Sequence, residues 1–271
     1  MALYQPQTIK PLNPDTLVDV VIPVLNEAHV LEKSVATVRA FLTEHLACRW
    51  RVVVVDNGST DGTDSVARQL SRAHSDVRFV QLPRRGRGRA LRHAWTQSDA
   101  DIMCYTDVDL STELPALIKM VQAIAVDSFD LATGSRLLPQ SRTTRSPKRE
   151  FISRCYNIFV KAVLWTSFSD AQCGFKAISR NACGALVPEV LDQGWFFDTE
   201  LLTLAEKRGY RIADIPVRWI EDDDSRVKIV KTAWDDIKGV FRVRWKLWRE
   251  VFVSRASPAA PEGALSRRTT P

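Results

Sequence analysis

The 271-residue chain has little of what would tie it to a metal knuckle, a disulfide framework or a membrane span. Its five cysteines stand apart at 48, 104, 155, 173 and 183. None forms Cys-x-x-Cys and their number is odd, which argues against zinc and disulfide frameworks and fits a reduced cytosolic compartment. The four histidines, at 29, 45, 74 and 93, show no metal-ligand spacing. No apolar run approaches the roughly 18–20 residues that cross a bilayer. Met1 to Lys10 is polar and lacks the apolar stretch of a signal peptide. There is no Gly-x-x-x-x-Gly-Lys-Ser/Thr, which excludes a P-loop, and no Gly-x-Gly-x-x-Gly after the first strand, which argues against a dinucleotide fold of the NAD type. Basic residues sit beside acidic strand ends without an aromatic-interleaved RNA motif, so nucleic acid is not an expected partner.

What is present alternates. Val18 to Leu25 is nearly all apolar, as for a strand buried in a parallel sheet, and Leu31, Val35, Val38 and Leu42 follow at helical spacing. Trp50 to Val55 is a second such run. It ends in Asp56 to Thr63, dense in Asn, Gly, Ser and Asp, which favour tight turns and helix starts. Val77 to Leu82 leads into a basic glycine loop, Pro83 to Arg89. Ile102 to Tyr105 leads into Asp107-Val-Asp109, with a helix expected from Leu114 to about Val126 and a strand from Leu131 to Arg136. This rhythm predicts an α/β chain with a doubly wound, mostly parallel sheet. Later, Pro139 to Arg149 reads as a loop, Phe151 to Trp165 as an amphipathic helix, and Arg211 to Trp219 as a strand. Residues 1–16 read as a leader, 17–228 as the folded domain, 229–253 as a basic amphipathic helix and 254–271 as a disordered tail.

Ligands bind such sheets outside the carboxyl ends of the strands. Four successive ends here are polar: Asn26 and Glu27, Asp56 to Asp61, Arg84 to Arg89, and Asp107 to Asp109. Each supports more than one role. Glu27 and Asp56 suit hydrogen bonds to a base edge or ribose hydroxyls, or helix capping. Asp107 and Asp109 suit a hard divalent cation that bridges phosphates, or a solvated turn before the next helix. Arg142, Arg145, Lys148 and Arg149 form a phosphate-binding loop or a solvated face. The net charge of +6 permits a phosphate-bearing substrate or an anionic membrane surface.

In order, Pro23-x-x-Asn-Glu27, Asp56-x-Gly-Ser-x-Asp61, Gly86-x-Gly88, Asp107-x-Asp109 and Gly134-Ser-Arg136 resemble the family 2 glycosyltransferases of the GT-A fold. Asp170-x-Gln-Cys-Gly-Phe-Lys176 and Trp195-x-Phe-Asp-x-Glu200 are similar to the polyprenyl- and dolichyl-phosphate sugar synthases, the glucosyl branch first and the mannosyl branch next. The resemblance covers about residues 18–230. It implies a nucleotide-binding half and an acceptor-binding half. Pro23, Glu27 and Asp56 would hold the nucleoside of a UDP- or GDP-sugar, and Asp107 would contact the ribose or the metal shell. Asp109 would be the principal ligand of Mg²⁺ or Mn²⁺, and Arg136 would face the reacting phosphates. Ser225-Arg-Val-Lys228 makes Arg226 and Lys228 candidates for the acceptor phosphate. Three positions depart from the pattern. Ser111 stands where many mannosyl enzymes have Gln, Arg87 replaces a common Lys, and Ile220 falls where an Arg precedes the Ser-Lys step.

The implied reaction is a single displacement, with inversion, from a nucleotide diphosphate sugar to a polyprenyl monophosphate. A phosphomonoester has a second pKa near ~6, so the acceptor needs positive charge and positioning more than a strong base. Asp170 would assist or orient it, or cap the turn before Gly174. A glycan, protein or small-molecule acceptor is the alternative enzyme reading. A non-catalytic nucleotide-sugar-binding scaffold is the rival of another class. Finally, Val230, Trp234, Ile237, Phe241, Trp245, Trp248 and Phe252 share one helical face, with Lys231, Lys238, Arg242, Lys246 and Arg249 on others. That pattern predicts a peripheral helix at the cytoplasmic face of an anionic membrane. Otherwise the helix packs on the protein's own core, and the lipid is reached through a membrane partner protein.

Overall fold

The computed structural model describes residues 2–6, 8, 10–220 and 229–256. The chain runs β1 (Ala2–Leu3), β2 (Leu17–Val24), α1 (Ala28–His45), β3 (Arg49–Asp56), α2 (Thr63–Ala73), β4 (Val77–Gln81), α3 (Arg87–Thr96), β5 (Ile102–Thr106) and α4 (Pro115–Ala125). It continues β6 (Leu131–Ser135), β7 (Arg142–Thr144), α5 (Pro147–Leu164), β8 (Phe175–Ser179), α6 (Arg180–Leu186), α7 (Phe197–Lys207), β9 (Ile212–Pro216), β10 (Arg218–Ile220) and α8 (Ile229–Ala256). The main sheet has the order β1-β9-β6-β8-β5-β2-β3-β4, and β10 pairs with β7 in a small second sheet.

Period-two alternation divides the core between the two faces of the sheet. Val18, Val20, Ile22 and Val24 of β2 pack with Leu31, Val35 and Val38 of α1 and Met120 of α4. Leu17 and Val21 face the other way, toward Leu91 and Trp95 of α3, Leu201 of α7, and Val240 and Val243 of α8. The sheet is mostly parallel, as expected. The exception is β8, antiparallel to both β5 and β6. Its direction matters for function. The carboxyl ends of β2, β3, β5 and β6 meet the start of β8 at one edge, so the segment Asp170 to Gly174 arrives where the acidic strand ends are.

Three local expectations change. Ala2–Leu3, within the segment read as a leader, pairs in parallel with β9, and Tyr4 behind it is buried. The Pro139–Arg149 segment is not all loop: it contains β7, and α5 begins at Pro147. The strand expected over 211–219 breaks at Pro216, after which the chain crosses to the small sheet as β10.

Candidate active site

The first two strand ends are laced together by their own turns. The Asn26 amide donates to Ser59 Oγ at 2.9 Å, the Thr60 amide donates to Asn26 Oδ1 at 2.8 Å, and the Glu27 amide donates to Thr63 Oγ1 at 2.9 Å. Asn26 takes a left-handed φ of 59°, which an Asn tolerates. Glu27 is the N-cap residue of α1, where its backbone oxygen accepts from the Val30 and Leu31 amides at 3.2 and 3.0 Å, but its side chain makes no cap bond. Asp56 is fully buried. Its Oδ1 accepts from the Ser59 amide at 3.0 Å and from Ser59 Oγ at 2.5 Å, while its Oδ2 is buried without a partner. An orphaned carboxylate oxygen at a cleft edge is costly unless a ligand donor meets it. Pro23, next to last in β2, is half-buried and pairs with Val55, the residue before Asp56 in β3.

The acidic end of β5 is a turn of its own. Asp109 is exposed and accepts from the Ser111 amide at 3.0 Å, with Leu110 at φ 52° between them. Neither acid caps α4, whose N-cap position is Leu114. The two carboxylates offer hard oxygen ligands and so fit Mg²⁺ or Mn²⁺. Among the described residues no group of three or more His, Cys, Asp or Glu side chains gathers around one point. A cation here would therefore complete its shell from substrate phosphates and water, as Mg²⁺ commonly does.

Asp107 is not alone. Arg87, the first residue of α3, donates from Nη2 to Asp107 Oδ1 at 2.7 Å and from Nη1 to Asp198 Oδ2 at 3.2 Å. Its guanidinium lies between the rings of Tyr105, at 5.0 Å, and Trp195, at 4.8 Å. Tyr105 in turn donates its hydroxyl to Asp198 Oδ2 at 2.6 Å. Burial pushes the Asp107 carboxyl up; Arg87 pulls it down, and the charges of Asp109 and Asp198 push it up again. The buried Lys176 donates to Cys173 O at 2.6 Å and sits 3.7 Å from Asp198 Oδ1.

The glycine loop has a different use from a phosphate cradle. The Gly88 and Arg89 amides donate to Gly194 O and Gln193 O, both at 3.1 Å. A Cβ on Gly86 would lie 2.5 Å from Gln193 O, and one on Gly88 would lie 2.6 Å from Phe197 Cβ. These glycines let α3 dock on the segment ahead of α7, and that docking brings Arg87 beside Asp198.

Across β8 from the acidic end of β5, Arg136 follows β6. Its amide, Nε and Nη2 all donate to the Asp170 carboxylate, at 3.1, 2.7 and 3.0 Å. The guanidinium also lies 5.7 Å from the Trp219 ring. Burial would raise the Asp170 carboxyl, but Arg136 holds it down to about 2. Asp170 accepts as well from the Gln172 amide at 3.1 Å, so its lone pairs are committed to this turn. The two halves touch at Gly174, where a Cβ would lie 1.8 Å from Asp107 Oδ2 and 2.7 Å from Arg87 Nη2.

The structure thus brings together Pro23, Glu27, Asp56, Asp107, Asp109, Arg136 and Asp170 along one sheet edge. Arg226 and Lys228 lie outside the described residues. In the basic segment, Arg145 pairs with Glu150, which Arg154 also engages. Sequence reasoning gave no role to Arg87, Tyr105, Asp198 or Lys176. The signal available was the Trp195-x-Phe-Asp motif, whose Trp195 and Asp198 both turn out to hold Arg87.

A Glycosyl transferase family 2 model matches residues 19–186. Glycosyltransferase AglD of Haloferax volcanii is 36% identical over 232 residues, which cover 85% of this chain but only 37% of that protein. The dolichyl-phosphate beta-glucosyltransferase of Saccharomyces cerevisiae is 30% identical over 244 residues, covering 83% of this chain and 72% of the relative. Among solved structures, glucosyl-3-phosphoglycerate synthase from Mycobacterium tuberculosis in complex with UDP superposes with a TM-score of 0.65 at 21% identity, over 84% of this chain and 80% of that one. The same enzyme with Mn²⁺, UDP and glucosyl-3-phosphoglycerate gives a TM-score of 0.64 at 19% identity.

Proposed function

The chain belongs to glycosyl transferase family 2 and is a glycosyltransferase with a GT-A fold, and from that premise we propose that it moves one sugar from a nucleotide diphosphate sugar to a polyprenyl monophosphate. The relatives named dolichyl-phosphate beta-glucosyltransferase support that acceptor. The observation that carries the reading is the close approach at Gly174, which sets the segment after Asp170 against Asp107 and Arg87 and supports reading the acidic strand end and the Arg136–Asp170 pair as two walls of one cleft.

On the donor wall, the orphaned Asp56 Oδ2 is matched to an imide or amide N–H of a nucleobase. The UDP bound by the similarly folded synthase favours uracil. Glu27 and Pro23 complete the nucleoside pocket. Asp109, with Asp107, would hold Mg²⁺ or Mn²⁺, and Mn²⁺ in the synthase crystals supports that choice. The ion would neutralise the diphosphate and so improve it as a leaving group.

On the acceptor wall, Arg136 offers the lipid phosphate its remaining guanidinium edge. Asp170 positions that edge rather than serving as a base: its oxygens are engaged, and its depressed pKa makes it a poor proton acceptor. A dianionic phosphate attacks without one, so a single displacement with inversion is sufficient. Arg226 and Lys228 are assigned to the same phosphate.

The lipid would be met by α5 and α8, which pack together. Phe151 and Ile158 are exposed on α5 and Trp165 just after it, as are Trp234, Phe241, Trp245 and Trp248 on α8. Among the described residues no helix is long and apolar enough to cross a membrane.

The test is to incubate the full chain with a panel of UDP- and GDP-sugars and either polyprenyl phosphate, free prenol or 3-phosphoglycerate, reading products by mass. Sugar on polyprenyl phosphate alone, lost with Asp109→Ala or excess chelator, is expected. Full activity in chelator overturns the metal assignment. Transfer to the free prenol as well as to its phosphate overturns the mechanism, and transfer to 3-phosphoglycerate instead overturns the acceptor.

A further inference from the structure

We propose that Arg87 is an internal counter-ion that occupies the Asp107 carboxylate until a divalent cation takes it, and then turns to the donor diphosphate. The inference rests on the nucleotide-sugar reading of this cleft. The two ion pairs of Arg87 are unequal. Asp198, gripped through Nη1 at 3.2 Å, has a side chain only 2% exposed and is also tied by Tyr105. Asp107, gripped through Nη2 at 2.7 Å, is 40% exposed. One end is an anchor, and the other lies where a cation would bind.

The slot around the guanidinium allows such a turn. Tyr105 and Trp195 flank it at 5.0 and 4.8 Å, and Trp195 is itself 45% exposed, so one wall of the slot borders solvent. A guanidinium that rotates in its own plane over a ring face keeps the cation–π attraction, which is lost only by sliding toward the positive ring edge. The backbone has no need to move, since Gly88 and Arg89 are pinned to Gly194 and Gln193.

Charge gives the direction of the exchange. Asp107 and Asp198 pair with Arg87 and Lys176, and the Asp109 charge acts on Asp107 beside them, leaving one net negative charge. A divalent cation makes the cluster net positive, which then favours a diphosphate. Arg87 and the cation compete for one carboxylate, yet both serve the diphosphate. The metal alone should therefore bind weakly, and metal and nucleotide should bind cooperatively, by the same factor in either order.

The experiment titrates Mn²⁺ into the full chain and follows free Mn²⁺ by electron paramagnetic resonance, with and without UDP. Removing a charge-assisted hydrogen bond from Asp107 should let Arg87→Met bind Mn²⁺ alone about tenfold tighter. The same variant should bind UDP, at saturating Mn²⁺, about tenfold weaker. Unchanged or weaker Mn²⁺ binding by an Arg87→Met protein with native near-ultraviolet circular dichroism overturns the proposal. Tighter Mn²⁺ with unchanged UDP binding overturns the hand-over to diphosphate. If Arg87→Met does not fold, Arg87→Lys serves: it keeps the charge but not the fork, and about threefold tighter Mn²⁺ binding is expected. No change in that variant overturns the proposal equally. An Asp109→Ala protein that binds Mn²⁺ like the wild type would instead remove the metal site itself, and with it the reading on which the inference stands.

Discussion

At the scale of single residues, the Arg136–Asp170 pair shows how one buried carboxylate sets the geometry of a guanidinium proposed to bind phosphate. Three donors of Arg136 converge on it. Arg136→Lys keeps the charge but cannot make the planar fork, so turnover should fall about 10- to 100-fold, with the KM for lipid phosphate rising more than that for the donor. Asp170→Asn should do the same while leaving nucleotide binding unchanged; a shift in nucleotide affinity instead would contradict the division of roles. The pair also has a pH signature. Because Asp170 is held down to about 2 in the folded chain, against about 3.9 in a model peptide, its stabilisation is fully present above the unfolded value. It is lost as pH falls through the folded one. Urea melts between pH 2 and 6 should show this acid-side loss in the wild type and a smaller one in Asp170→Asn.

At the scale of elements, α8 is the instructive case. The aromatic residues expected to share a face do share one among those described, but that face is not the docked one. Trp234, Phe241, Trp245 and Trp248 are exposed, while Asp236, Gly239, Val240 and Val243 face the body. The reason is shape: a Cβ on Gly239 would lie 2.5 Å from the Phe196 ring, so α8 seats on that ring through its smallest residue. Size-weighted periodicity therefore points away from the contact. Much of the basic face is also committed. Arg242 pairs with Glu200 at 2.7 Å and Lys246 with Glu189 at 3.3 Å, which leaves fewer charges for a membrane than the sequence suggests. The expectation of a peripheral membrane helix shifts accordingly. Trp245→Ala with Trp248→Ala should release the protein from anionic vesicles more completely than high salt does, as sedimentation would show. Salt release with no effect of the tryptophans would mean an attachment by charge alone.

Buried within the same contact, Asp236 is raised to about 7, first by burial, against the hydrogen bond it accepts from Gln172 at 2.5 Å. The folded chain then holds a proton that the unfolded chain releases near ~4, so this residue costs stability progressively as pH rises from about 4 to 7. Asp236→Asn should raise the melting temperature at pH 8 and change it little at pH 4. The opposite ordering would show that Asp236 is stabilising as a carboxylate.

At the scale of the whole molecule, the parallel rhythm and the four polar strand ends were legible because apolar runs and turn residues are local signals. The direction of β8 was not, because a five-residue strand carries no mark of which way its neighbours run. Yet β8 is the seam. It pairs with β5 from Ile102–Ser179 to Thr106–Phe175 and joins β5, β2, β3 and β4, proposed to hold the donor, to β6 and β9, proposed to face the acceptor. Gly174 lies at the head of that seam, and its φ is not in the left-handed region, so backbone strain does not demand glycine there. Space does: a methyl would meet Asp107 Oδ2 at 1.8 Å. The end of a side chain can swing aside, so Gly174→Ala should fold. It should displace Asp107 and Arg87 and weaken UDP binding at saturating Mn²⁺ by about tenfold, on the scale of one lost charge-assisted contact. The change is made in the acceptor half and read in the donor half. Gly184→Ala is the control, because a Cβ there meets nothing within 4 Å on α6. It should leave UDP binding untouched and, as a helical Gly-to-Ala change, add up to about 1 kcal/mol of stability. Equal UDP affinity in both variants, measured by calorimetry, would mean that the two walls do not share the contact at Gly174, and the single-cleft reading would fall with it.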